Sequence, residues 1–181
     1  MNYGSDDPLP EKFRPEWEDW TSSLHLLNDI KVPRSFYPLV IFPEKQELHI
    51  FFDASEQVIG HVAYMRTTAT DGRVHVAYVS SSSRVAPRCA TSMPRLELCA
   101  ALEAARCATA IVSEMERKPD SVVMYSDSTS VLGYINSEER RFSQYVTRRV
   151  DIIRLHVPKE NWHYVSTSFN PADFAPPLQA H

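Results

Sequence analysis

The sequence predicts an α/β domain built on a five-stranded mixed sheet, with three antiparallel strands first and helices on both faces. Three observations carry this prediction. Residues 47–83 read as three β segments separated by turn signals. Residues 94–118 are dominated by Leu, Ala, Glu and Arg, the composition of one long helix. The rest reads as strand, helix, helix and strand, so the full order is β-β-β-α-β-α-α-β.

Each element has a local cause. ELHIFFDAS (47–55) alternates and then becomes fully apolar, which describes a strand with a buried end. QVIGHVAYMRT and RVHVAYVSSSS follow as the second and third strands, and Asp71-Gly72 between them is a hairpin signal. Thr91 or Ser92 can cap the long helix, and Pro94 suits its first turn. SVVMYSDS (121–128) is apolar on both faces, which predicts a central strand parallel to a neighbour. STSVLGYINS reads as a short helix, FSQYVTRRVDIIRLHV as a longer one, and NWHYVST as the last strand. The tail NPADFAPPLQAH starts like a helix, but Pro176 and Pro177 stop it within about a turn, so a truncated C-terminal helix is expected.

Composition bounds the function. The 181 residues are 43% hydrophobic and 23% charged, which suits a globular chain and excludes wholesale disorder. Six of the 13 prolines lie before residue 45. Residues 1–45 therefore read as a connecting segment with one helical patch, where Trp17, Trp20, Leu24 and Leu27 recur at helical spacing, and residues 46–181 as the domain. Three cysteines without metal-ligand spacing, and no signal peptide, predict a reduced, intracellular protein, cytoplasmic or nuclear and not secreted. No apolar run approaches the roughly 18 residues of a membrane span, so no membrane partner is expected.

The net charge of −4 argues at first against a nucleic-acid ligand. Its distribution reverses the argument. Residues 1–50 hold 9 acidic and 5 basic side chains, which accounts for the whole excess, whereas residues 51–181 hold 14 of each.

Four of those later acids sit where a lone acid is costly or oddly placed. Asp53 ends the apolar run IFF, and Asp127 ends the run VVMY. If the two strands are parallel neighbours, the carboxylates lie side by side and repel unless a cation separates them. Glu97, between Leu96 and Leu98 in the first turn of the long helix, adds a third acid, and Asp173 in NPAD a fourth. An oxygen-only set without convergent His or Cys suits Mg²⁺ or Mn²⁺. Such clusters hold two metal ions about 3.5–4 Å apart for in-line attack on a phosphodiester. Each acid also has a plainer reading, as a turn former, a helix cap or a charge complementing a helix dipole.

The motifs FFDASEQVIGHVAY, SRVAP with MPRLELCAAL, YSDSTSVLGYI and NPAD resemble the RNase H domain of BEL/Pao-type LTR retrotransposon polyproteins. The opening DDPLPEKFRPEWEDW is similar to the connection that precedes that domain. The resemblance implies an RNase H-like fold and cleavage of the RNA strand of RNA/DNA hybrids, as the RNase H activity of a reverse transcriptase. It implies catalytic and metal-binding roles for Asp53, Glu97, Asp127 and Asp173 around two ions. Asp53 would bridge both, Glu97 and Asp127 would hold one, and Asp173 the other. Family members continue after NPAD into a longer segment, where this chain reads FAPPLQAH. The competing expectation is a decayed or domesticated module that binds nucleic acid or protein without cutting. A Ser-His-Asp hydrolase has little support, because the chain has no G-x-S-x-G elbow.

A hybrid presents phosphates and 2′-hydroxyls, so its contacts should be basic or small and polar. Arg84, Arg88 and Arg95 form one candidate cluster. Arg140, Arg141, Arg148, Arg149 and Arg154 form another, which reads equally well as a solvated helix face. Ser55, Ser128 and Thr129 stand beside the acids and can contact phosphate or simply cap turns. His163, ten residues before Asp173, is a candidate proton shuttle or an ordinary strand residue, and His61 reads as structural.

Overall fold

A computed structural model of the chain describes residues 8, 10–36, 42–87, 92–138 and 142–173. It divides into two units, Met1–Arg34 and Ser35–His181. The first holds helix α1, Arg14–Ser23, between short 3-10 turns at Glu11–Phe13 and Leu24–Asp29. Pro15 occupies its first turn, where a missing N–H costs nothing, and the Trp17 and Trp20 rings meet at 5.1 Å.

The second unit is a five-stranded sheet with helices. The strands are β1 (Pro43–Ala54), β2 (Val58–Ala69), β3 (Val74–Val85), β4 (Ser121–Ser126) and β5 (Trp162–Tyr164). The helices are α2 (Met93–Glu114), α3 (Thr129–Asn136) and α4 (Gln144–His156). The strand order is β3-β2-β1-β4-β5. β1 and β2 pair antiparallel, as do β2 and β3, while β4 runs parallel to β1 and β5 parallel to β4. The mixed sheet and element order are those expected. The β2–β3 hairpin turns at Gly72, whose φ of +82° lies in the left-handed region that glycine adopts without strain.

Alternation along β1 separates two environments. Leu48, Ile50, Phe52 and Ala54 are buried in a core that also takes Leu98, Ala101, Ala105 and Ala108 of α2, Val131 and Ile135 of α3, and Val150 and Ile153 of α4. Small residues along α2 let that helix lie close to the strands. The intervening residues Glu47, His49, Phe51 and Asp53 are only half-buried.

α2, α3 and α4 share the core of Leu48, Ile50 and Phe52. Two expectations are corrected. The helix expected to reach Lys118 ends at Glu114, because Met115 is already extended ahead of Pro119. Lys118 instead donates its ammonium to the Val112 and Ser113 carbonyls and caps that end. Glu97, expected in the first turn of α2, lies on the second, so a dipole role in the first turn does not apply. The truncated C-terminal helix expected in the tail NPADFAPPLQAH (170–181) lies mostly outside the described residues, and its described start, 170–173, is a turn rather than a helix. The described stretch before them holds only a 3-10 turn, Thr167–Phe169.

Candidate active site

The β1–β4 register brings two of the predicted acids together. Phe51 pairs with Tyr125, so both strands advance side by side toward their carboxyl ends, where Asp53 and Asp127 stand. Buried Phe52 and Met124 anchor the strands just before them. Asp173 joins from the segment after β5. There Asn170, 2% exposed, donates from Nδ2 to the Phe52 carbonyl at 3.1 Å and accepts from the Ala172 N–H at 3.1 Å. The Asp173 N–H in turn donates to the Asn170 carbonyl at 3.1 Å. One buried amide thus pins the NPAD turn to the strand that carries Asp53.

Asp53 feels both burial and its acidic neighbours. Burial pushes the Asp53 carboxyl up to about 6, against a partly offsetting hydrogen bond from the Ala54 N–H. The charges of Asp127 and Asp173, and a hydrogen bond shared with Asp173, push the same way. Asp127 accepts a 2.7 Å hydrogen bond from the Thr167 hydroxyl. Glu97 faces Ser128, whose hydroxyl donates to its Oε2 at 2.6 Å and also accepts from the Val131 N–H, capping α3.

Among the described residues no three His, Cys, Asp or Glu side chains converge closely enough to hold a metal ion. The donor chemistry nevertheless fits a hard divalent cation: oxygen ligands only, with half-buried Asp53 raised mainly by burial and further by the charges of Asp127 and Asp173.

A cavity of about 730 Å³ opens beside Asp53 and Asp173. Ser55, Gly60, His61 and Ser81–Ser83 form its far wall. Ser55 Oγ accepts from the Val58 N–H and closes the β1–β2 turn. Gly60 pairs with Asp53 across the ladder, where a side chain would make only ordinary contact with the Ser82 carbonyl, at 3.6 Å.

The remaining candidates are spread around this centre. Arg84 is exposed and ion-paired with Glu103 at 2.8 Å. Arg95 on α2 and Arg149 on α4 both lie over the Tyr145 ring, at 4.9 and 3.5 Å. Arg148 and Thr129 are exposed, whereas Ser128 is buried and engaged as a cap. Arg154 donates to the Ile135 and Ser137 carbonyls and holds the end of α3. Arg88, Arg140 and Arg141 lie outside the described residues. His163 on β5 faces Tyr125, with ring centroids 5.9 Å apart, and its charge acts on His49.

The family model described as "Pao retrotransposon-like RNaseH-like domain" matches residues 1–128. The chain belongs to that family. The matched stretch of this Pao RNase H-like domain contains Asp53, Glu97 and Asp127, and Asp173 lies beyond it. No curated protein matches the chain. Similar solved structures include RNase H1 from the halophilic archaeon Halobacterium salinarum, at 13% identity and a TM-score of 0.45, covering 70% of this chain and 89% of that one. The N-terminal RNase H domain of a Mycobacterium tuberculosis protein is 11% identical with a TM-score of 0.47, covering 68% and 85%. LC11-RNase H1, solved in complex with an RNA/DNA hybrid, is 11% identical with a TM-score of 0.42, covering 70% and 89%.

Sequence reasoning missed Thr167 and Asn170. Asn170 carried a signal, as a short polar residue directly before the proline of NPAD, where its side chain replaces backbone partners. Thr167 carried none, because only the path of the chain after β5 brings it to Asp127.

Proposed function

We propose that this Pao RNase H-like domain is a metal-dependent endonuclease that cleaves the RNA strand of RNA/DNA hybrids, as the RNase H part of a retrotransposon reverse transcriptase. One observation carries the reading: Asp53 and Asp127 stand at the carboxyl ends of adjacent parallel strands, and the charges of Asp127 and Asp173 both act on half-buried Asp53. Two Mg²⁺ or Mn²⁺ ions, held by Asp53, Glu97, Asp127 and Asp173, would activate the attacking water and stabilise the leaving 3′ oxygen.

The chain's own residues prepare that chemistry. Thr167 fixes one oxygen of Asp127 and would orient that carboxylate for a cation. Ser128 sets the rotamer of Glu97. Asn170 ties the Asp173 turn to β1. The serine-lined cavity beside Asp53 presents small hydroxyls, suited to a ribose-phosphate backbone read by shape rather than by base. Arg95, Arg148 and Arg149 add positive charge along α2 and α4 for the phosphates.

A module that binds without cutting is the second reading, and the absence of a closed three-ligand group among the described residues favours it. Mn²⁺ separates the two. A metal-binding native state melts higher with Mn²⁺ in the unmodified protein and not in Asp127→Asn. An equal response in both contradicts the metal site. Cleavage of a labelled hybrid that Asp53→Asn or Asp127→Asn removes tests the activity itself.

A further inference from the structure

Asp127 stands between two fixed neighbours. Buried Ser126 ends β4, and its carbonyl accepts from the Val165 N–H at 3.0 Å. Buried Ser128 caps α3. The backbone under the carboxylate is therefore held on both sides, and the freedom that remains is rotation of the side chain itself. The charge of Asp127 acts on Asp53, so in the absence of a cation repulsion favours turning the Asp127 carboxylate away.

The hydroxyl of Thr167 opposes that rotation. It donates to Asp127 Oδ2 at 2.7 Å from 40 residues further along the chain. Thr167 is exposed, and a loosely held donor there would exchange this bond for one to water. The local backbone holds it firmly. Thr167 begins the 3-10 turn Thr167–Phe169, where the Phe169 N–H donates to the Ser166 carbonyl at 2.8 Å and the Asn170 N–H to the Thr167 carbonyl at 3.0 Å. The Val165–Ser126 bond anchors one end of this stretch, and the buried Asn170 amide anchors the other on the Phe52 carbonyl. Threonine adds stiffness of its own, since its β-branch restricts χ1.

We propose that Thr167 is a positioning residue that makes the carboxylate site select Mg²⁺ over Ca²⁺. Mg²⁺ demands near-ideal octahedral geometry with short bonds, whereas Ca²⁺ accepts more oxygens at longer and more variable distances. A carboxylate tethered by one oxygen keeps a single orientation, which suits the demanding ion. A carboxylate free to rotate can also swing round to bind through both oxygens, which suits the tolerant one. Removing a hydrogen-bond partner of a ligating carboxylate costs about 10- to 100-fold in metal affinity, and an exposed hydroxyl belongs at the lower end. The inference rests on the proposed metal-dependent reading of this site.

The test follows thermal melting of the full chain in titrations of MgCl₂ and of CaCl₂, for the unmodified protein, Thr167→Val and Thr167→Ser. Valine keeps the branched shape and drops the hydroxyl, and a metal-free melt of each variant verifies folding. The Mg²⁺ concentration giving half the maximal rise in melting temperature should be about tenfold higher in Thr167→Val. The Ca²⁺ midpoints of the same two proteins should agree within about twofold. Thr167→Ser retains the donor and should recover most of the lost Mg²⁺ affinity, a rescue that a merely structural role does not require. Equal Mg²⁺ midpoints in the unmodified protein and Thr167→Val overturn the inference, and so does an equal loss for both ions. Where metal still stabilises the unmodified protein, either result removes only the role of Thr167 and leaves the metal site standing. An unmodified protein that neither ion stabilises overturns the metal-dependent reading and this inference together.

Discussion

Ser128, the N-cap of α3, and Glu97 on the second turn of α2 are joined by a 2.6 Å hydrogen bond. The same hydroxyl accepts from the Val131 N–H, so one buried atom caps a helix and orients a candidate ligand. Ser128→Ala loses both bonds, and we expect a cost of about 1–2 kcal/mol in chemical denaturation. Ser128→Thr keeps the hydroxyl and should lose less than half of that.

Asp53 sets the opposite sign of effect. Its carboxyl titrates near 6 in the fold and near 3.8 in an unfolded chain, so the native state holds more protons between those values. Stability of the metal-free protein should therefore fall as pH rises from about 4 to 6. Asp53→Asn should stabilise the metal-free protein at pH 7 by about 1 kcal/mol, a figure reduced for the solvent that screens this half-exposed group. Urea titrations at pH 4.5 and 7 check both expectations. A destabilised Asp53→Asn would contradict the charge crowding.

His49 responds to pH in the other direction. Burial pulls its imidazole below the usual range, against an opposing pull from Glu47, and its Nε2 finds no hydrogen-bond partner among the described residues. The native state resists protonation there, so this contribution is present above about 6.5 and lost as pH falls. His49→Gln should flatten that acid-side loss, measured as the difference in melting temperature from the unmodified protein at pH 5 and 8.

Asn170→Ala removes the donor to the Phe52 carbonyl and the acceptor for the Ala172 N–H, both in a buried setting. A loss of about 2 kcal/mol is expected. Hybrid cleavage should fall further than the folded fraction does, because Asp173 loses its tether. Cleavage that tracks folding alone would show that Asp173 needs no such anchor.

Much of this was legible in the sequence because the signals were local. Apolar runs closed by Asp53 and Asp127 marked the ends of β1 and β4, and Asp71-Gly72 marked the hairpin. The ring-bearing face was not legible. Phe51 and Tyr125 extend the apolar runs of their strands and read as buried on both sides, whereas they are half-buried and their rings stack on one another across the sheet. The Ser128–Glu97 and Thr167–Asp127 bonds span 31 and 40 residues, and no spacing rule reaches that far.

The central claim is tested most directly by incubating the purified chain with a labelled RNA/DNA hybrid in Mg²⁺ or Mn²⁺. The account predicts cleavage of the RNA strand that Asp127→Asn abolishes and EDTA stops. An intact hybrid with both ions, or cleavage that survives in Asp127→Asn, would contradict it.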